Sequence, residues 1–428
     1  MFIKSSLIIR RAPLRTLTNN LSPRKINTAA IFQSLDPSTE LKTTSQSISF
    51  EQDYHIRSSL EKIIHRYATK PYQKITLNKL VQYGGTNLSD EEIISAANET
   101  LLNLKILNAK RLIHIRSLPY MVVLNPHISL SYSLYLRSMR EILSTPPVLT
   151  VADALEFVKV CEDFLDKHAD AIPRLSKGFT EIIGKYYPKA DSFKFLDIHL
   201  RERIIMKLTA QHFIFLMNPP TATNIGVLDS NLNINQLVKQ QADFVNELCN
   251  MKYMKNCQLE IETNNYYTSK DTNNNDSLIV ERNKDIYFPF IYENLEYCIL
   301  ELLKNSFRAH IENDVPYENK IKVIINKYID EDANVPILQI RISDQGGGID
   351  PETQQQMYDF SFTTVKSEDD SDVYDSQNNR SVAGMGYGLG LSKTYCQIFD
   401  GSLHVESYYG YGTDVYIKLK GPSLSYAN

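Results

Sequence analysis

Residues 301–309 read Glu-Leu-Leu-Lys-Asn-Ser-Phe-Arg-Ala and lie within a longer stretch, 295–310, whose apolar side chains repeat with helical spacing. Positions three, four and seven apart share one face of a helix. The polar face therefore carries a carboxylate, an amide and two cations, at Glu301, Lys304, Asn305 and Arg308. A solvated helix surface has the same composition, so this stretch alone fits either a surface helix or a site for a charged ligand.

A glycine-rich turn follows a predicted strand further along the chain. Leu338, Ile340 and Ile342 alternate with polar residues, which is the pattern of a half-buried β-strand. That strand ends in Asp344-Gln-Gly-Gly-Gly348, where glycines let the backbone approach a ligand and the carboxylate can accept a hydrogen bond from an exocyclic amine. A plain glycine turn is the alternative interpretation.

A second glycine-rich segment, Gly384-Met-Gly-Tyr-Gly-Leu-Gly390, opens a predicted helix that continues to Ile398. The amides at the start of such a helix point towards an anion. A dinucleotide-binding fingerprint requires a strand directly before the glycines, and the polar, acidic run found there is not one. The pattern therefore favours a lid over phosphates, at about residues 366–390.

The 428-residue chain divides into two parts of different composition. Residues from about 50 to 220 are helical in period and poor in glycine, which favours a four-helix bundle. The Asn218-Pro-Pro220 break marks the predicted boundary. Residues 226–422 contain short alternating strands and predict an α/β sandwich with an antiparallel or mixed sheet. A flexible insert is expected at about 263–285, which is rich in Asn and Tyr.

One helix of the first part is predicted to begin near Thr150, with Asp153 as its capping partner. Phe157, Phe164 and His168 follow at helical spacing on one face. A histidine on an apolar helix face is often a hydrogen-bonded core residue, so His168 has both a structural and a functional interpretation.

Composition excludes several classes of protein. The chain has 46 basic and 50 acidic residues, a formal charge of −4, and so lacks the polycationic character of a protein that binds nucleic acid through phosphates. Its five cysteines show no CxxC spacing, which speaks against a zinc ribbon or a disulfide framework. No apolar run approaches the roughly 18 residues of a transmembrane helix.

The first 35 residues have the composition of a mitochondrial transit peptide. They carry six basic side chains and seven Ser or Thr, and no acidic residue precedes Asp36. A disordered basic tail is the alternative. The transit interpretation predicts a protein of the mitochondrial matrix.

Four motifs in this order resemble the ATP-binding fold shared by gyrase, the ninety-kilodalton heat-shock chaperone, sensor histidine kinases and mismatch-repair ATPases. They are Glu301–Asn305, Asp344–Gly348, Gly384–Gly390 and Gly412-Thr413. The resemblance implies ATP and Mg²⁺ as ligands, with Asn305 on the metal, Asp344 on adenine and Thr413 supporting that contact. The implied nucleotide-binding residues are Glu301, Lys304, Asn305, Arg308, Asp344, Gly346, Gly348, Thr363, Thr364, Gly384, Met385, Gly386, Tyr387, Gly388, Leu389 and Thr413.

Within that superfamily the chain resembles the mitochondrial protein kinases of pyruvate dehydrogenase and branched-chain 2-oxoacid dehydrogenase. The resemblance rests on residues 301–309, on Phe362-Thr-Thr364, and in the first domain on the strings at 118–126 and 168–173. It implies a serine kinase in which Glu301 is the general base and His168 its helper. Lys304 and Arg308 would offset charge on the transferred phosphoryl group.

The family's partners follow from the same resemblance. They are the decarboxylase α subunit of the pyruvate dehydrogenase complex as substrate, a lipoyl domain as docking site, and a second copy in a homodimer. Two alternatives stay open. The target could instead be the branched-chain complex, or the protein could be an ATP-driven clamp that transfers no phosphate to protein. The chain has no Trp, so docking through an Asp-Trp tail is not expected. Gly390 stands where the family often has proline.

Overall fold

The computed structural model describes residues 50–83, 88–270, 276–330, 332–360 and 387–423. Helices dominate the first part and a mixed sheet the second. The helices are α1 Phe50–Ala68, α2 Leu77–Val81, α3 Asp90–Arg116, α4 Tyr120–Val123, α5 Pro126–Ser144, α6 Val151–Lys167, α7 Ala171–Ile182, α8 Lys189–Met217, α9 Ile234–Tyr253, α10 Tyr292–Glu312, α11 Pro351–Gln356 and α12 Gly388–Ile398. The strands are β1 Asn224–Ile225, β2 Leu228–Asn233, β3 Leu259–Lys270, β4 Asp276–Arg282, β5 Tyr287–Ile291, β6 Ile321–Asp330, β7 Val335–Asp344, β8 Ser402–Tyr408 and β9 Gly412–Lys420.

Helix α6 begins where its capping sequence predicts. The backbone N–H of Asp153 donates to the Thr150 hydroxyl at 3.2 Å, and the Thr150 N–H donates to the Asp153 carboxylate at 2.9 Å. Such a reciprocal cap satisfies two backbone donors and is worth about 1 kcal/mol. The apolar face of α6, which includes Phe157 and Phe164, is buried.

The long helix α3 organises the helical part, because it contacts α1, α5, α6 and α8. Helix α8 also packs on α6, and α5 packs on α7. Buried residues occur around most of α3, including Leu104, Leu107, Leu112 and Ile115. Among the described residues, none of the helices has both the length and the apolar character needed to cross a bilayer.

The second part is built on a six-stranded mixed sheet with the order β4-β3-β6-β7-β9-β8. Strands β3 and β6 run parallel, and the other neighbouring pairs are antiparallel. Leu338, Ile340 and Ile342 of β7 are buried, as their alternation predicts. Helices α10 and α12 pack on each other and on this sheet, so the motif at 301–309 faces the strand that ends at Asp344.

The segment 263–285, where the sequence predicts a flexible insert, contains paired strands in its described residues. Its described residues belong largely to the antiparallel strands β3 and β4, paired from Asn264–Arg282 to Lys270–Asp276. The Thr, Tyr, Ile and Val residues of this segment have high β propensity, and cross-strand pairing outweighs their polar neighbours. The Asn264 amide also donates to Asn326 of β6 at 3.0 Å, which ties the hairpin to the sheet.

Polar contacts join the helical part to the sheet part along α8. Lys207 Nζ lies 2.8 Å from the Glu293 carboxylate at the start of α10. Arg201 donates to Gln397 of α12 at 2.9 Å. Helix α8 also packs against α12. The two helices that carry the candidate site residues therefore both contact the helical part.

Candidate active site

Glu301 and Lys304 form a buried ion pair on α10. Glu301 Oε1 lies 2.6 Å from Lys304 Nζ, and the two side chains are 10% and 6% exposed. Opposite charges one helical turn apart pair readily, and a buried charge requires such a partner. These two members of the polar stripe are therefore not part of a solvated surface.

The first turn of α12 closes over this pair. A Cβ atom added at Gly388 would lie 2.3 Å from Glu301 Oε2, so any other residue there would force the carboxylate or the helix to shift. Tyr387 precedes it, is buried, and packs its ring 5.7 Å from that of Phe360. Leu389 is half-buried on the same turn. The glycine-rich segment thus begins its helix against the Glu301 carboxylate.

Asn305 and Arg308 lie on the more accessible side of α10. Asn305 is exposed, and Arg308 Nε donates to Glu312 at 2.6 Å. Among the described residues, no three His, Cys, Asp or Glu side chains come together as a metal site. An exposed carboxamide oxygen nonetheless fits Mg²⁺, which takes few protein ligands and completes its octahedron with phosphate and water.

Asp344 is a buried carboxylate at the end of β7. It accepts hydrogen bonds from the Ser306 hydroxyl at 3.0 Å and the Gly346 N–H at 2.9 Å. The backbone N–H of Thr413, its partner across the β7–β9 pair, donates to it as well. Burial raises the pKa of Asp344, and the donated hydrogen bonds oppose that shift. Its remaining acceptor capacity suits an amine donor.

The glycines after Asp344 are required by neighbouring protein. A Cβ atom at Gly346 would lie 2.4 Å from Cβ of Ala309 on α10. At Gly348, where φ is +70°, it would lie 2.2 Å from the carbonyl oxygen of Tyr408. From the sequence, these glycines are expected to let the backbone approach a ligand. In the structure they let the backbone approach α10 and β8.

Two supporting residues were not identified from the sequence. Ser306 holds the Asp344 carboxylate, and His310 Nε2 accepts a hydrogen bond at 2.9 Å from the N–H of Gln345, the next residue. Burial lowers the pKa of His310, which favours this neutral acceptor. The sequence signal that could have identified Ser306 and His310 is their i, i+4 spacing on α10, directly beside the polar stripe that begins at Glu301.

His168 lies in the core of the helical part. Its Nδ1 donates to the Phe164 carbonyl at 2.8 Å and its Nε2 lies 3.4 Å from the Ser138 hydroxyl. Arg203 donates to its carbonyl oxygen. Burial, and then the charge of Arg203, lower the pKa of His168 to about 3, so the ring is neutral at physiological pH. Within the described chain these hydrogen bonds do not reach Glu301.

Several sequence-predicted residues lie outside the described part of the chain. They are Thr363, Thr364, Gly384, Met385 and Gly386, together with most of the lid at 366–390 and the predicted transit peptide at 1–35.

Two family descriptions match successive parts of the chain. Residues 74–261 match "Mitochondrial branched-chain alpha-ketoacid dehydrogenase kinase", and residues 291–423 match "Histidine kinase-, DNA gyrase B-, and HSP90-like ATPase". The second match spans the helices and strands that carry Glu301, Asp344, Gly388 and Thr413. The sheet and site therefore define an ATP-binding domain of the class shared with histidine kinases, gyrase B and HSP90.

Individual relatives cover nearly the whole chain. A Saccharomyces cerevisiae protein named "[Pyruvate dehydrogenase (acetyl-transferring)] kinase 1, mitochondrial" is 37% identical over 90% of this chain and 93% of its own length. An Arabidopsis thaliana protein named "[Pyruvate dehydrogenase (acetyl-transferring)] kinase, mitochondrial" is 23% identical over 84% of this chain and 94% of its own length. A Rattus norvegicus protein named "[Pyruvate dehydrogenase (acetyl-transferring)] kinase isozyme 4, mitochondrial" is 25% identical over 84% and 83%. The chain belongs to the family of mitochondrial pyruvate dehydrogenase and branched-chain 2-oxoacid dehydrogenase kinases.

Proposed function

We propose that this protein is an ATP-dependent serine kinase of the mitochondrial matrix, which phosphorylates and inactivates the decarboxylase α subunit of the pyruvate dehydrogenase complex. The observation that carries the proposal is the Glu301–Lys304 ion pair beneath the first turn of α12, one turn from the exposed Asn305. The relatives' printed names supply the substrate.

Glu301 is the proposed general base. Its carboxylate accepts the proton of the substrate serine hydroxyl as the serine oxygen bonds to the γ-phosphorus. The bond from that phosphorus to the β,γ-bridging oxygen breaks, and ADP leaves. Lys304 then offsets charge on the transferring group, which is the main protein contribution to phosphoryl transfer. Arg308 is assigned the same task from its more exposed position.

The nucleotide contacts follow the same assignment. Asp344 accepts the adenine amine, and Thr413 supports it through its backbone N–H to the carboxylate. Gly346 and Gly348 shape the turn beside the base, Thr363 and Thr364 meet ATP ahead of the lid, and the segment from Gly384 through Met385, Gly386, Tyr387 and Gly388 to Leu389 covers the phosphates. Asn305 would hold Mg²⁺, which would neutralise phosphate charge.

The remaining assignments concern domains and partners. Residues 50–220 are proposed to form a four-helix bundle that docks on a lipoyl domain, and residues 226–422 the kinase domain. Residues 1–35 are assigned to a transit peptide. The protein is proposed to form a homodimer. His168 is proposed to act on Glu301 from the helical part. Helix α8 supports this, because it contacts both the carbonyl of His168, through Arg203, and helix α12.

Transfer of labelled γ-phosphate tests the proposal directly. The chain without its first ~35 residues is offered purified pyruvate dehydrogenase and branched-chain 2-oxoacid dehydrogenase complexes side by side. The proposal predicts acid-stable label on the decarboxylase α subunit of the pyruvate dehydrogenase complex. Acid-labile label on the chain itself would contradict it.

The branched-chain complex is the second candidate substrate. It is favoured by the family description that matches residues 74–261, which names the branched-chain kinase. Label confined to the branched-chain decarboxylase would support it. Release of free phosphate without labelled protein would instead identify an ATP-driven clamp.

A further inference from the structure

Residues 356–360, called the entry segment here, are the last described residues before α12. Lys189, the first residue of α8, contacts this segment from the helical part of the chain. Its Nζ donates to Gln356 Oε1 at 2.7 Å and lies 3.7 Å from the Asp359 carboxylate. One lysine of the helical part therefore contacts the entry segment at two positions.

The other side of the entry segment packs on α12. The Tyr358 ring centroid lies 3.9 Å from Lys393 Nζ, and the Phe360 ring lies 5.7 Å from that of Tyr387. A Cβ atom added at Gly390 would lie 3.0 Å from both the Phe360 ring and the Tyr358 carbonyl oxygen. The entry segment is thus held between the start of α8 and the start of α12.

The packing of Phe360 on Tyr387 connects the entry segment to the candidate active site. Both side chains are buried, and close-packed side chains pass a displacement on to their neighbours. Tyr387 directly precedes Gly388, where an added Cβ atom would lie 2.3 Å from Glu301 Oε2. A shift of the entry segment would therefore move the turn of α12 that lies against Glu301.

Lys189 stands at an unusual place for a cation. The N-terminus of a helix carries partial positive charge, which disfavours a lysine in the first turn. The Asp359 carboxylate offsets that repulsion: burial raises the pKa of Asp359, and the charge of Lys189 opposes this shift. Lys189 Nζ also lies 5.3 Å from the centre of the Phe193 ring, which helps to fix its direction. Helix formation does not account for a lysine here, whereas its contacts with the entry segment do.

We propose that Lys189 is a positioning residue for the nucleotide site. It acts through the entry segment, which holds Tyr387 and the turn from Gly388 to Leu389 in place. The inference rests on the proposed function in one respect, the assignment of these three residues to the phosphates of ATP. The helical part thereby contributes to nucleotide affinity from outside the site.

Equilibrium binding of a fluorescent ATP analogue to the full chain tests the proposal. Lys189→Met is expected to weaken binding roughly two- to five-fold, the range that a partly exposed ion pair supports. Lys189→Arg keeps the charge and the donors and should bind like the parent. Lys194→Met, at an exposed lysine of the same helix, is the matched control. Parent-like binding by Lys189→Met, or an equal loss in Lys194→Met, would overturn the proposal.

A double variant shows whether Lys189 acts through the entry segment. Asp359→Asn alone should cause part of the loss seen in Lys189→Met. Lys189→Met/Asp359→Asn should bind no more weakly than Lys189→Met, because groups that act as one pair are not additive. Additive losses would contradict a role through the entry segment.

The same titrations separate this inference from the proposed function. Failure of the parent chain to bind the analogue would contradict the proposed function itself. Binding by the parent and equal binding by Lys189→Met would contradict the role of Lys189 alone.

Discussion

The Glu301 carboxylate lies 2.6 Å from the Lys304 ammonium group, one turn along α10, and both side chains are buried. Each charge offsets part of the cost of burying the other. We therefore expect the loss of either partner to lower the stability of the fold around the proposed base.

Removal of one partner tests that dependence. Lys304→Met leaves the buried carboxylate without its ammonium partner, and breaking such a pair costs roughly 3–5 kcal/mol. We expect a loss of this size in the free energy of unfolding, measured by denaturant titration. The double variant Lys304→Met/Glu301→Gln should recover part of it. A single variant as stable as the parent would show that the pair is solvated.

Gly388→Ala tests the close approach of α12 to the base. The new methyl group would lie 2.3 Å from Glu301 Oε2, so the carboxylate or the helix has to move. Because small misplacements of catalytic groups are expensive, we expect phosphotransfer to fall on the order of 10- to 100-fold. Ser402→Ala, an exposed substitution on the neighbouring strand β8, is the control. Full activity of Gly388→Ala would show that the contact between α12 and Glu301 is not needed for phosphotransfer.

Asp344→Asn tests the adenine contact. Hydrogen bonds to a charged group contribute about 1.5–3 kcal/mol, so ATP affinity should fall roughly 10- to 150-fold. Equilibrium binding of a fluorescent ATP analogue measures it, with thermal unfolding to confirm a folded variant. Asp414→Asn is the control, because Asp414 sits on the neighbouring strand and pairs with Arg341. Equal losses in both variants would contradict the assignment.

The lowered pKa of His168 predicts how the stability of the chain depends on pH. Its pKa is lowered from about 6.5 to about 3 in the folded chain, so between these values the unfolded state binds more protons. The free energy of unfolding therefore falls as pH drops through this range, by up to about 1.4 kcal/mol per pH unit for one histidine.

The variant His168→Gln is expected to show a shallower pH dependence by up to one proton, measured by denaturant unfolding at several pH values. Ser402→Ala, an exposed change on β8 that removes no titrating group, supplies the control, and its slope should match that of the parent. An unchanged slope in His168→Gln would mean that the ring is not held neutral by burial.

Local sequence signals predicted a large part of the fold. The Thr150–Asp153 cap and the alternation in β7 are determined by neighbours in the chain, and both predictions are confirmed. The helix predicted over 295–310 is found as α10, Tyr292–Glu312. The segment 263–285, where composition predicts a flexible insert, contains much of the hairpin formed by β3 and β4, and composition does not encode that strand pairing.

The site was predicted less completely than the fold. The polar stripe identified Glu301 and Lys304, but their burial depends on the approach of Gly388, which lies 87 positions beyond Glu301 in the sequence. Ser306 and His310 were missed because their role exists only beside the turn that follows Asp344. For His168, the structure gives the core environment in full, and its action on Glu301 stays a prediction.

The most direct measurement is single-turnover transfer of labelled γ-phosphate to the pyruvate dehydrogenase complex by the parent chain and by Glu301→Gln, with nucleotide affinity measured on the same samples. The account predicts phosphoserine on the decarboxylase α subunit with the parent, and a loss of transfer by a factor on the order of 100 or more in the variant, with ATP still bound. Full transfer by Glu301→Gln would contradict it.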